Sequence, residues 1–409
     1  MATGTMLQAE GILKITTGRY TSNYETSALL FNRLNKGSGN ALSDRGFEIP
    51  TAISGNWNHS WMTDGGAYPA GGSVKTLRPT VYFKEQVNSM RLTVRAIETI
   101  KGDAGSVKSW LSVNMDGMID TAYKMSNRYA WGTGNGLLGT ISTGAASTTQ
   151  TFNNDQNVRY FGNGMKLDFW DPTFSILRGT ASVTSYPIPG QTTITIDSSV
   201  TTVTGDYVTV HGGANQAITG MKAIVDDTTE APVMFQSVSR NTYPNYRAQV
   251  IDANGAGLDL ELLTQMIGAK IQVQYGKANR AQTELWAYPS QTAAFQSLGW
   301  NLKRIEGDSK SIKLGYTSYE FQGMAFTEEI DCDKDRVYYL DFDKIEKFVA
   351  KNFGWMQVDG KILRLVPSST SGSAYDALVE GYWNADYNFG SPDPRPLGKI
   401  IDLDIPTGY

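Results

Sequence analysis

The sequence predicts an α+β protein built from several modules. Three observations support this prediction: a long helical period begins near Lys101, short alternating β segments lie on both sides of it, and helical and β patterns alternate in the second half of the chain. With 409 residues the chain is long enough for modules with sizeable cores. We therefore expect one long helix to act as a spine for smaller parts.

The spine helix is predicted by apolar residues that recur in steps of three and four, a spacing that places them on one face of a helix. These residues are Val107, Leu111, Met115, Met118, Ala122, Met125 and Tyr129. Asp103 or Ser106 can cap the first turn. The helix is expected to stop at glycines, because glycine tolerates the left-handed backbone of a helix end. These glycines are Gly132, Gly134 and Gly136.

Two weaker elements precede the spine. A short helix is predicted from Gly18 to Asn35, and the residues before it have too little apolar content to fold alone, so residues 1–45 predict an arm. Residues 46–100 contain two alternating segments around a glycine-rich tip, which predicts a long β-hairpin. An isolated two-stranded ribbon is marginally stable in water, so we expect it to lie on another surface.

The segments after the spine differ in composition. Residues 137–157 are small and polar and predict a linker or surface loop, whereas residues 158–215 predict a β-rich module. Residues 216–350 combine helical and strand patterns, and residues 351–409 predict strands that close a sheet.

Composition excludes several classes of protein. The formal net charge is −4 and no basic stripe occurs, which argues against sequence-specific nucleic-acid binding. No run of eighteen apolar residues exists, so we expect no membrane span. The N-terminus has no basic region followed by an apolar core, and we expect a cytoplasmic origin. Cys332 is expected to be an enclosed thiol, since only His59 and His211 are available to activate it.

Motifs for cofactors and metals each fail a specific requirement. The glycines from Gly132 to Gly136 follow a helix, whereas a dinucleotide-binding loop follows a strand and opens a helix. The acidic residues from Glu328 to Asp335 resemble the start of a calcium loop, but Arg336 and Phe342 occupy positions that need glycine and glutamate. We expect a solvated loop there. No catalytic residue, cofactor or metal site is predicted.

Carbohydrate chemistry stays open as an alternative. Forty acidic residues supply carboxylate pairs in any fold. Five aromatic residues can stack against sugars, although such residues more often pack in cores and subunit contacts. They are Trp57, Trp61, Tyr68, Trp383 and Tyr387.

The order of parts resembles the major capsid proteins of tailed bacteriophages, which have the Hong Kong ninety-seven-type shell fold. The stretches that carry the resemblance are Trp131–Ile141, Tyr319–Phe326, Glu329–Leu340, Gly354–Arg364 and Tyr382–Asn384. The resemblance covers nearly the whole chain, and its motifs are diffuse patterns.

The resemblance implies a division of the chain into named domains. These are an N-terminal arm (1–45), an extended loop (46–100), a peripheral domain with the spine helix (101–157), a β-rich insertion domain (158–215), an axial domain (216–350) and closing strands of the peripheral domain (351–409). It also implies a non-enzymatic protein of the virion that assembles in the host cytoplasm. Hexamers and pentamers of the chain would form an icosahedral head that encloses double-stranded DNA without reading its sequence.

The partners that the resemblance implies are other copies of the chain, with scaffolding, portal and decoration proteins as further candidates. The extended loop would lie across a neighbouring subunit, and its candidate contact residues are Trp57, Trp61, Tyr68, Lys75, Arg78, Lys84 and Glu85. Lys75 and Lys84 are also candidates, by location only, for the covalent cross-link found in some members. Two other functions remain open: a carbohydrate-active enzyme or sugar-binding protein, and a phage tail or decoration protein.

Overall fold

The computed structural model of the chain shows a helical spine together with three large β structures and three small sheets of two or three strands in the described residues. It describes residues 30, 33–37, 39–42, 45–56, 58–94, 104–153, 158–186, 188, 190–273, 282–305, 319–357, 359–367 and 375–408. The predicted helix from Gly18 to Asn35 lies largely outside these residues. Within the arm, Leu30 and Leu34 are buried.

The hairpin is shorter than the sequence predicts. Its strands, and those before it, are β1 (Asn35–Lys36), β2 (Asn40–Ala41), β3 (Gly46–Glu48), β4 (Thr51–Ser54), β5 (Lys75–Leu77), β6 (Thr80–Tyr82) and β7 (Lys84–Thr93). Strand β3 pairs with β6 and β4 with β5, both antiparallel. Strand β7 pairs with residues 378–387 and not within the hairpin, so the prediction of one long hairpin over residues 46–100 is wrong.

The spine helix, α1, spans Ala104–Ala130. Met115 and Ala122 are buried, and Met118 packs partly buried beside them. Met125 and Tyr129 pack against a different module that follows the helix. The structure adds Ile119, which is buried beside Met115 and which the predicted stripe omits. The side chains of Val107 and Leu111 lie outside the described part of the chain.

Three glycines lie at the C-terminal end of the spine helix. Gly132 donates its N–H to the carbonyl oxygen of Tyr129 at 3.0 Å, which tightens the last turn. Gly134 and Gly136 then adopt φ values of +90° and +80°, in the left-handed region that favours glycine. Gly220 packs against this end so closely that a Cβ on it would lie 2.5 Å from the Tyr129 carbonyl oxygen.

Six strands after the spine form an antiparallel barrel. They are β8 (Leu137–Thr143), β9 (Ala146–Phe152), β10 (Lys166–Trp170), β11 (Leu177–Ser182), β12 (Thr193–Thr201) and β13 (Tyr207–Val210). They pair in the order β11-β10-β13-β8-β9-β12, and a bridge between Val183 and Ile196 joins the two edges. Phe152, Phe161 and Phe169 help to fill the interior.

The barrel begins earlier than expected, so the linker prediction is wrong for residues 137–152. Strand β9 is rich in serine and threonine, and one of its buried positions is the polar residue Gln150. The Gln150 amide donates to the carbonyl oxygen of Val200 at 3.2 Å and accepts from the Thr202 hydroxyl at 2.8 Å. A buried glutamine whose polar atoms are satisfied inside the barrel hides the apolar alternation that marks a strand.

The remaining elements build two large sheets and one small sheet of two strands. They are α2 (Met221–Ile224), β14 (Met234–Phe235), β15 (Val238–Ser239), β16 (Gln249–Asp252), α3 (Leu260–Val273), β17 (Thr283–Ala287), α4 (Pro289–Ile305), β18 (Tyr319–Phe321), β19 (Met324–Glu328), β20 (Val337–Asp341), β21 (Glu346–Trp355), β22 (Leu363–Pro367), β23 (Tyr375–Gly390) and β24 (Gly398–Ile401).

The first of these, the long-strand sheet, carries the spine helix. Strand β23 pairs with β7 along one edge and with β21 and β22 along the other, and β1 continues the sheet beyond β21. Met90, Leu92, Val379 and Trp383 on this sheet form a common core with Met115 of the spine. The helix is thus held by strands from both ends of the sequence.

The second, the mixed sheet, has the order β16-β24-β20-β17-β19-β18. Helices α3 and α4 pack on it. Strand β24 lies inside this sheet, parallel to β16 and antiparallel to β20. Residues 351–409 therefore do not all close the sheet of the spine, and β21 joins that sheet from residue 346 onward. The expected boundary at 350 is wrong, because the chain crosses between the two sheets twice.

Candidate assembly surfaces and the junction between modules

The hairpin ends in an exposed aromatic tip, residues 55–74. The Trp61 side chain is 94% exposed and Tyr68 is 91% exposed. Met62 and Val74 add exposed apolar surface beside them. Large apolar side chains that protrude into solvent together are typical of a binding surface. Trp57, the third predicted aromatic, lies outside the described residues.

Side-chain amides close the neck of this hairpin tip. Asn56 donates from Nδ2 to the carbonyl oxygen of Gly72 at 3.1 Å, and Asn58 donates to that of Ala70 at 2.7 Å. Gly72 packs closely here, since a Cβ on it would lie 2.3 Å from the Asn56 Oδ1 atom and would push that side chain aside. The two bonds hold the chain across the neck beyond the last ladder pair.

The base of the hairpin is anchored on the body. Ile53 is buried in the main core, and the Thr51 hydroxyl donates to the carbonyl oxygen of Pro392 at 2.9 Å. Ile49 and Val81 pack on Phe348 of the long-strand sheet in a separate small cluster. An exposed tip on a fixed base is a preformed projection, which loses less entropy on binding than a loose loop does.

The predicted charged contact residues divide into two groups. Lys75 is exposed, and Arg78 is 77% exposed while it pairs with Glu48 at 3.4 Å. Lys84 instead donates to the carbonyl oxygen of Asn215 at 2.9 Å, and burial lowers the pKa of its amine. Glu85 accepts a hydrogen bond from Asn384 at 2.8 Å within the long-strand sheet. Lys84 and Glu85 thus make bonds inside the subunit.

A polar junction joins the spine helix, the barrel and the mixed sheet. At its centre Asp331 accepts hydrogen bonds from the Tyr160 hydroxyl at 2.5 Å, from Arg159 at 2.6 Å and from the Asn127 amide at 2.5 Å. Asn127 also donates to Glu329 at 3.1 Å, and burial raises the pKa of Glu329. These residues and Arg128, which bonds to the Asp331 carbonyl oxygen at 3.2 Å, are called the junction cluster below.

A second network of buried charges lies beside the junction cluster. Arg336 contacts Glu230 at 2.7 Å, and Lys399 contacts Glu230 at 2.6 Å and Asp226 at 2.8 Å. Lys222 bridges Glu230 and Asp333. Burial alone would raise the pKa of Glu230, but Arg336, Lys222 and Lys399 outweigh it and hold this pKa at about 2. Mutual pairing is what makes burial of these charges tolerable.

The expectation of a solvated acidic loop is therefore wrong. Glu329 and Asp331 are buried, and Asp333 pairs with Arg128, Lys222 and Arg336, while Glu328 stays exposed. Apart from Arg336, the cations that neutralise the loop come from distant parts of the sequence. No group of three or more potential metal ligands occurs in the part of the chain that the structure describes.

The cysteine, the two histidines and two of the candidate sugar-stacking aromatics pack against other residues of the chain. Cys332 is fully buried, as predicted, and burial raises the pKa of its thiol. His59 lies beside Trp61 in the hairpin tip, and His211 contacts Asp168 at 2.8 Å at the end of a barrel strand. Trp383 and Tyr387, two of the five candidates for sugar stacking, are buried against Phe353.

None of the helices in the described residues is both long and apolar enough to span a bilayer.

The glycines at the end of the spine helix pack against the backbone of the segment that follows the barrel. Gly136 faces Gly213, and Gly134 faces Thr219. They thus act in packing and in turning the chain.

Comparison with known proteins identifies the fold. No family model and no curated protein matches the chain. Among solved structures, the chain is similar to the subunit in the capsid asymmetric unit of cyanophage A-1(L), with a TM-score of 0.54 and 12% identity over 91% of this chain and 90% of that one.

More distant similarity extends to the capsid of a native GTA particle (TM-score 0.45, 10% identity, 92% of this chain and 90% of that one) and to Gordonia phage Cozz (TM-score 0.46, 9% identity, 93% and 87%). The tailed-phage capsid fold that the sequence resembles is therefore confirmed.

Proposed function

We propose that this chain is the major capsid protein of a tailed phage, which assembles through hexamers and pentamers into an icosahedral head around DNA. The observation that carries the proposal is a capsid fold over 91% of the chain together with an exposed aromatic projection on a fixed base.

In this proposal the hairpin is the extended loop, and its tip lies across a neighbouring copy. Trp61 and Tyr68 would be the anchors of that contact, since aromatic side chains that become buried on association contribute most of the binding energy. Lys75 and Arg78 would lie at its rim, where exposed charges fix register more than strength. Repetition of one such head-to-tail contact closes a ring when the rotation between copies permits it.

Each module of the chain would form one domain of the capsid fold. The spine helix with the long-strand sheet would form the peripheral domain, the mixed sheet with α3 and α4 the axial domain, and the barrel at 137–210 the insertion domain. The role is structural and needs no catalytic site. A net charge of −4 suits a wall that encloses DNA without binding it tightly. Scaffolding, portal and decoration proteins would be its partners besides further copies, and the virion its location.

Electron microscopy of the purified full chain tests the proposal, because particle shape separates the candidate functions. Closed spheres support a head protein. Tubes would indicate a tail protein instead, and persistent monomers a decoration or sugar-binding protein. A glycan array and hydrolysis assays on polysaccharides address the carbohydrate alternative, which the burial of Trp383 and Tyr387 does not favour.

A further inference from the structure

Asp331 is the residue at which three modules meet through side chains. Its carboxylate accepts from Asn127 of the spine helix and from Arg159 and Tyr160 of the barrel. Asp331 itself belongs to the loop between β19 and β20 of the mixed sheet. The side chain of Arg159 also reaches the backbone of this loop at the carbonyl oxygen of Ile330.

The barrel and the mixed sheet each have a core of their own, whereas the spine helix packs its C-terminal part into the barrel core and the main core. The barrel is filled by residues such as Phe161 and Val208, whereas the mixed sheet packs Leu263, Met266 and Leu285 against its helices. The contact at Asp331 is polar and directional by comparison. Hydrogen bonds at 2.5–2.6 Å to a buried carboxylate fix the angle between groups far better than apolar contact does.

We propose that the Asp331 carboxylate sets the orientation of the barrel and the spine helix relative to the mixed sheet, so that each subunit has one shape before it meets its neighbours. Asp331 is thus a positioning residue for assembly. The part of the inference that concerns assembly rests on the proposed function. The part that concerns the shape of the subunit does not.

The orientation is measured on the unassembled subunit by electron spin resonance. Spin labels are attached through Ser199→Cys on the barrel and Ala256→Cys beside the mixed sheet, both at exposed positions. The native Cys332 is buried and stays unlabelled. We expect a narrow distribution of label-to-label distances for the labelled parent. For Asp331→Ala we expect a distribution at least about twofold broader, because the barrel can move relative to the mixed sheet once the polar contacts between them are lost.

Asp171→Ala is the matched control. Asp171 accepts hydrogen bonds from the backbone of Ser175 at 2.6 Å and of Ile176 at 2.7 Å, but all of its partners belong to one loop of the barrel. This substitution removes a comparably bonded carboxylate without touching the junction cluster. We expect the distance distribution of the labelled pair to stay as narrow as in the parent.

Two milder variants keep the test valid if Asp331→Ala does not fold. Tyr160→Phe removes one hydroxyl, and Arg159→Ala removes the cation on the barrel side. Broadening that increases from Tyr160→Phe to Arg159→Ala supports the proposal. Distributions of equal width in the parent and in all junction variants that fold would overturn it.

Micrographs of the same proteins separate this inference from the proposed function. We expect the parent to form shells of one size and Asp331→Ala to form particles of mixed size or open sheets. Uniform shells from a variant with a broadened distance distribution would refute the role in assembly. If the parent itself formed no shells, the proposed function would fail, whereas the distance measurement would still decide the role of Asp331 in subunit shape.

Discussion

Asn58 donates a hydrogen bond from Nδ2 to the carbonyl oxygen of Ala70 at 2.7 Å, across the neck of the hairpin tip. We expect Asn58→Ala to leave the free energy of unfolding within about 0.5 kcal/mol of the parent, since the site is exposed. Hydrogen exchange in the tip should become faster. The concentration needed for assembly should rise, because a looser tip loses more entropy on docking. Unchanged exchange in the tip would show that the amide does not hold the neck.

The aromatic anchors give a stronger prediction. Trp61→Ser combined with Tyr68→Ser should leave the subunit folded, since both side chains are over 90% exposed. Removal of one strong anchor costs about 2 kcal/mol or more of binding energy, so the assembly concentration should rise at least about 30-fold. Light scattering against protein concentration measures it. Tyr186→Ser, an exposed tyrosine on the barrel, is the control and should assemble like the parent if the tip is the contact.

The pH dependence of stability tests the buried charge network. The pKa of Glu230 is about 2 in the folded protein and 4.5 when unperturbed, so its contribution is present above pH 4.5 and is lost as pH falls towards 2. Glu230→Gln should lower stability at pH 7 and remove up to about 1.4 kcal/mol per pH unit of slope in that window. Urea unfolding between pH 2 and 7 measures it. Parallel curves for the parent and the variant would contradict the assignment.

Two glycines near the spine should respond in opposite directions. A Cβ on Gly220 would lie 2.5 Å from backbone oxygens at the end of the helix, so Gly220→Ala should destabilise the protein by about 1–3 kcal/mol. Gly117 lies in the helix with open space around it, and Gly117→Ala should stabilise by up to about 1 kcal/mol. Thermal unfolding compares them. Equal effects would mean that the loop before α2 does not pack on the helix end as described.

Local patterns in the sequence were enough to predict the spine and its end. Met115 and Ala122 on the buried face and Gly134 after the last turn all lie in one continuous stretch of sequence. Their spacing and the conformational freedom of glycine are therefore visible without any distant residue. The order of the predicted elements along the chain was likewise enough to indicate the resemblance to a capsid protein.

The errors arose where distant residues decide the structure. Gln150 conceals a strand because its partners are Val200 on β12 and Thr202 just after that strand. The loop around Asp331 looks solvated in sequence, since its partners Arg159 and Asn127 lie far away along the chain. The crossing of β24 into the mixed sheet is likewise set by pairing with β16 and β20, which no local pattern encodes.

A side-by-side micrograph of the full chain and of a variant that lacks residues 57–75, under the same assembly conditions, tests whether the hairpin tip builds the shell. The deletion removes most of the hairpin tip and Lys75 of β5, while the buried base at Ile53 remains. We predict closed, uniform shells for the full chain and none for the deletion, with circular dichroism showing that the deletion variant is folded. Shells from the deletion variant, or none from the full chain, would contradict the account.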